Sequence, residues 1–178
     1  MIPCPRIVGD AVCLVLCAAA AAIDLRTHRI PNALTLPALA AGLLMAATGG
    51  AYDLAGAAIA ALLLGGLFAL FALVGGVGWG DAKLMAAVGA LLGWPLVGWP
   101  IVLHALAYTA IAGGVVALGF ALRRRRLRAT FRGILAMARQ RRVQAEASSG
   151  VVIPYALAIA LGSAWAIVGR YVPALLLG

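Results

Sequence analysis

The chain has 178 residues, 65% of them hydrophobic and 11% charged, and a mean hydropathy of +1.09. A water-soluble domain of this size needs far more polar surface than that, so the composition excludes one and implies a single integral membrane domain over 1–178. The net charge of +9 is concentrated, with nine of the fourteen basic residues between Arg123 and Arg142. A basic block that interrupts apolar runs suits a cytoplasmic membrane-surface loop and not a nucleic-acid footprint.

The first apolar run, 7–23, carries Asp10 near its start and ends in a charged turn, Asp24 to Arg29. It lacks a small-residue cleavage pattern and reads as a retained span, not a signal peptide. Cys4, Cys13 and Cys17 have no zinc-site spacing and read as small apolar helix residues. Pro31 opens a second run, 33–48, with Asn32 placed to hydrogen-bond across the turn or, more simply, to cap it. Gly49-Gly50 separates this from a third run, 54–77, long enough to span with tilt. Next comes Gly78-Trp79-Gly80-Asp81-Ala82-Lys83, which leads into a fourth run, 82–97. Lys83 reads as a headgroup anchor or as a residue that helps position Asp81, with the anchor slightly favoured. Trp94, Pro95, Trp99 and Pro100 mark an interfacial belt before the fifth run, 101–122.

The basic loop, about 123–149, follows. Within it Phe131, Ile134, Leu135 and Ala138 share one helical arc, as in a short helix drawn to anionic lipid on the inner leaflet. A sixth run covers 151–169. The sequence therefore predicts an all-α polytopic bundle of about six spans. Arg26, Arg29, Lys83 and the nine loop arginines fall on one side, against Arg6 and Arg170 on the other. By the positive-inside rule both termini lie outside the cytoplasm.

Only five residues are acidic, and a carboxylate at membrane depth usually has a role and a partner. Span one runs inward and finishes at Asp24, while span four starts on the inside just after Asp81, so the two share a depth at the cytoplasmic edge. Neighbouring carboxylates share a proton over a wide pH range, leaving one base to activate water and one acid to polarise a carbonyl. That is the chemistry of aspartic proteolysis, and it requires neither a metal nor another cofactor. Helix polarity favours charge on Asp81, ahead of a helix start, and the proton on Asp24, at a helix end. Gly78 and Gly80 would permit a turn that aims Asp81 and leaves room for an extended substrate.

These motifs resemble those of the prepilin peptidases, membrane-edge aspartic proteases of the GxGD type. Asp24 with Ile30-Pro31-Asn32 is similar to the family's first aspartate and its I-P-N element. Gly78-Trp79-Gly80-Asp81-Ala82-Lys83-Leu84 is similar to the second aspartate motif, and Ile153-Pro154-Tyr155 to an element near the C-terminus. The resemblance implies catalytic Asp24 and Asp81, with Gly78, Gly80, Lys83, Pro31, Asn32, Pro154 and Tyr155 in support. It also implies prepilin or pseudopilin precursors as substrates and a bacterial inner-membrane location. The larger bifunctional members carry paired Cys-x-x-Cys elements and methylate the new N-terminus. Nothing here corresponds to that region, so the chain resembles the compact, peptidase-only form of Flp or tight-adherence pilus systems. Two other classes fit the composition: a small proton-coupled transporter with the aspartates as its relay, and a non-catalytic pilus-assembly partner. A transporter would place its carboxylates nearer the midplane, within repeats. An assembly partner would be indifferent to Asp24→Asn.

Overall fold

A computed structural model describes residues 4–93, 99–123 and 155–172. Its described residues form six α-helices: α1 (Cys4–Thr27), α2 (Asn32–Ala47), α3 (Ala51–Leu73), α4 (Trp79–Leu92), α5 (Trp99–Arg123) and α6 (Tyr155–Tyr171). The all-helical expectation holds, with one helix for each apolar run. Trp94, Pro95, Pro154 and the basic loop beyond Arg123 lie outside the described residues.

The bundle is organised around α4, which is apolar on every side and buries ten of its fourteen residues. A helix without a polar face belongs inside a bundle. α2 and α3 reach it through small residues. A Cβ on Gly89 would stand 2.7 Å from the Ala60 carbonyl carbon, and one on Gly42 would stand 2.9 Å from that of Ala90. Such close backbone approach lets membrane helices associate by packing, where lipid offers no hydrophobic gain. Cys13 and Cys17 of α1 complete this core as free, buried thiols.

α5 packs almost wholly on α6, and α6 in turn packs on α1. At that contact the Arg170 guanidinium donates to both oxygens of Asp10 at 2.8 Å, and the Tyr171 hydroxyl donates to Asp10 Oδ2 at 2.9 Å. Asp10 is only 3% exposed, and a carboxylate buried to that degree needs such partners. This ion pair joins the start of α1 to the end of α6, which the antiparallel order of the helices brings to one end of the bundle.

The outward surface is apolar in the opposite sense to a soluble protein. Val15 and Leu44 are 70% exposed and Leu62 75%, a contiguous greasy exterior that suits lipid contact. Arg6–Thr27 and Ala51–Leu73 are long and apolar enough to cross a membrane, while Asn32–Ala47 and Pro100–Val116 are shorter apolar helices. The molecule is a membrane helix bundle.

Candidate active site

α1 runs through Asp24 instead of stopping before it, so the carboxylate belongs to the helix's last turn and is buried, at 6% exposure. The helix then ends in a left-handed cap. His28 has φ of +51° and donates its N–H to the Asp24 carbonyl at 2.8 Å, which satisfies one of the carbonyls a helix end leaves open. The Thr27 hydroxyl donates to the Ile23 carbonyl at 2.9 Å. Histidine tolerates this conformation better than most side chains. His28 is exposed, in keeping with a solvated turn residue. The turn carries Ile30 inward and Pro31 into extended geometry, φ −72° and ψ 140°, at the start of α2.

The second carboxylate is set by the start of α4. Gly78 precedes the helix with φ −79° and ψ 151°, values open to any residue, so a special backbone turn is not why glycine stands there. The Asp81 N–H donates to the Gly78 carbonyl at 3.1 Å, and the Gly78 N–H donates to Asp81 Oδ2 at 3.0 Å. This is the carboxylate half of a capping box. A Cβ on Gly78 would crowd that oxygen at 3.2 Å. Gly80 has a different task. A Cβ there would stand 3.0 Å from Cβ of Ile30, so glycine lets the turn after Asp24 lie directly on the turn before Asp81. Gly80→Val should push Ile30 away and separate the carboxylates. Any chemistry that needs both carboxylates should fall on the order of 10²-fold, the scale of an ångström misplacement, while the protein still inserts in the membrane. Unchanged turnover would mean that this contact does not set the site.

Asp24 and Asp81 line one cleft of about 290 Å3, together with His28, Arg29 and Ile30 of one turn and Gly78, Trp79 and Gly80 of the other. Asn32 does not cap α2, since Pro31 holds the cap position. Its side-chain oxygen accepts a 2.8 Å hydrogen bond from Lys83 Nζ. Lys83 is thus engaged within the bundle and is not simply a headgroup anchor. The bond fastens the segment after Asp24 to the helix that carries Asp81, so Asn32 takes a hydrogen bond instead of the cap, and Lys83 is placed beside Asp81. Tyr155 lies apart from the cleft, on the wall of a neighbouring cavity between α3, α5 and α6.

The electrostatics also differ from the helix-polarity expectation. Asp81 stands at the polar end of α4, ahead of the apolar run, and its carboxyl is pushed up from 3.8 to about 6. Burial is the main cause; the Gly78 N–H opposes it, and the charge of Asp24 adds to it. Helix-end stabilisation of the anion is therefore present but is outweighed by desolvation. Polarity alone therefore does not set the charge of Asp81.

The type IV leader peptidase family model matches residues 11–118, a stretch that contains both aspartate turns. Among curated proteins, a prepilin leader peptidase/N-methyltransferase of Klebsiella pneumoniae is 40% identical over 101 residues, covering 53% of this chain and 44% of that protein. Proteins of the same name from Burkholderia pseudomallei and Aeromonas salmonicida are 39% and 40% identical over 113 and 109 residues. Those matches cover 58% and 57% of this chain, and 35% and 36% of the relatives. The chain thus aligns with less than half the length of these relatives. No solved structure matches the sequence. The family match takes in more than half of the chain, both carboxylates of the cleft and the two turns that hold them together, and it makes this protein a member of the type IV leader peptidase family.

Proposed function

We propose that the protein is an aspartic endopeptidase that removes a short basic leader from prepilin-like precursors at the cytoplasmic face of the bacterial inner membrane. One observation carries this reading. Two aspartates from helices distant in sequence are both buried, and both line a single cleft at one end of a membrane bundle. Carboxylates so placed are costly unless they have a task. In the proposed reaction the ionised carboxylate takes a proton from water as the water oxygen attacks the peptide carbonyl carbon. The protonated partner gives its proton to the carbonyl oxygen. When the tetrahedral intermediate collapses, the C–N bond breaks and the leaving amine takes the proton that came from water. A diol hydroxyl returns the other proton, so the pair ends as it began.

The peptidase reaction alone is proposed, in the compact form associated with Flp or tight-adherence pili. The distribution of basic residues supports an orientation with both termini outside the cytoplasm and the 123–149 loop on the inner leaflet. The test is purified protein in lipid with a precursor, followed by mass spectrometry. A product cut at one bond between leader and apolar segment supports the reading, and intact precursor under all conditions sinks it. Neutralising four of the arginines in 123–128 should lower insertion or expression several-fold and leave the cleavage rate per inserted molecule within about twofold, because these charges set topology. A correctly inserted variant that no longer cleaves would place the loop in substrate binding.

A further inference from the structure

α5 leans on α6 and only brushes α3 and α4, so the bundle is loosely closed along one side of α3. There a cavity of about 430 Å3 opens between Phe68 and Phe71 of α3, Val77 of the connecting turn, Thr109 and Gly114 of α5, and Tyr155 at the start of α6. It lies beside the carboxylate cleft. Gly76 and Val77 wall the cavity, and the residues that follow, Gly78 to Asp81, wall the cleft.

We propose that this cavity seats the first apolar turn of the substrate's membrane segment, next to the bond held between Asp24 and Asp81. The inference rests on the peptidase reading above. Two features point to this occupant. The cavity is continuous along the chain with the cleft, so a polypeptide lying across the carboxylates has it as the adjoining apolar space, walled by Phe68, Phe71, Val77 and Leu106. It is also large enough, since one turn of α-helix about 10 Å wide and 5.4 Å in pitch fills ~420 Å3. Between helices in lipid, packing takes over the role that the hydrophobic effect has in water.

Gly114 provides the test, because a Cβ added there meets nothing within 4 Å. Gly114→Leu therefore adds bulk at the cavity without a clash inside the fold, and leucine is the better helix former. Gly66→Leu on α3 is the control, equally open but not part of the cavity wall. Two substrates are compared: the full precursor, and a short peptide that spans the same bond but lacks the apolar segment. Gly114→Leu should raise KM for the precursor by at least about tenfold more than for the peptide, and Gly66→Leu should spare both. Equal losses on the two substrates, or no loss, would overturn the proposal. In parallel, a photo-crosslinker at Ala110, also on the cavity wall, should capture the precursor at its first apolar residues. Capture of lipid alone, of a second copy, or of this chain's own 124–154 would overturn it. If the wild type cleaves neither substrate, the peptidase reading fails by itself, and the crosslink still decides whether the cavity takes an apolar helix.

Discussion

Asp24→Ala and Asp81→Ala should each lower precursor cleavage by about 10³-fold, within the range for loss of a positioned acid or base. Membrane insertion should persist, since each side chain lies at a helix terminus and not in the α4 core. Conservative changes discriminate further. Asp24→Glu keeps the charge, but the capped end of α1 fixes its Cα, so the carboxylate moves by roughly an ångström, a displacement that can cost on the order of 10²-fold. Asp81→Glu lengthens the side chain that accepts from the Gly78 N–H at 3.0 Å, and it should be as severely impaired. The measurement is the single-turnover rate on a precursor in lipid. Near-normal rates in both glutamate variants would mean that the carboxylates act through charge alone. Full processing by either alanine variant would remove the aspartic mechanism.

Much of this arrangement could be read from the sequence because helix direction does the work. If apolar runs alternate across a membrane, a carboxylate at the end of the first and one at the start of the fourth must share an end. The same logic applied to Asp10, early in the first run, and Arg170, at the end of the sixth, would have paired them as well. Other features were not legible. The Lys83–Asn32 hydrogen bond joins residues 51 apart in sequence and depends on how α2 leans on α4, which no local pattern encodes. Gly80 carried a recognisable motif, but its physical reason is the space taken by Ile30, and that appears only when the two turns are stacked. Tyr155 belongs to a motif that suggested the site, yet the packing of α6 on α5 puts it on the wall of the neighbouring cavity. The desolvation of Asp81 was not legible for a related reason. Helix polarity is a sequence property, whereas desolvation depends on what packs around the carboxyl.

That desolvation yields the second large effect, a site that costs the protein stability. In the folded chain the Asp81 carboxyl holds its proton up to about pH 6, against an ordinary aspartate value of 3.8. Below about pH 4 both folded and unfolded forms are protonated and the site costs nothing. As pH rises toward 6 the unfolded chain gives up this proton and the folded chain keeps it. The folded state then binds more protons, and its stability falls with pH. Above about pH 6 the loss is complete and constant, on the order of 3 kcal/mol for a shift of about two units. Asp81→Asn removes the ionisation but keeps an oxygen that can accept from the Gly78 N–H. The variant should therefore be inactive yet more stable than the wild type above pH 6, by several degrees in thermal unfolding in detergent for a chain of this size. The advantage should shrink steadily below pH 6 and vanish near pH 4. Functional sites that strain their own fold commonly show this exchange of activity for stability. A constant advantage at every pH would trace it to packing and not to the buried charge. A variant less stable than the wild type at pH 7 would show that the anion is better solvated in the cleft than its burial implies.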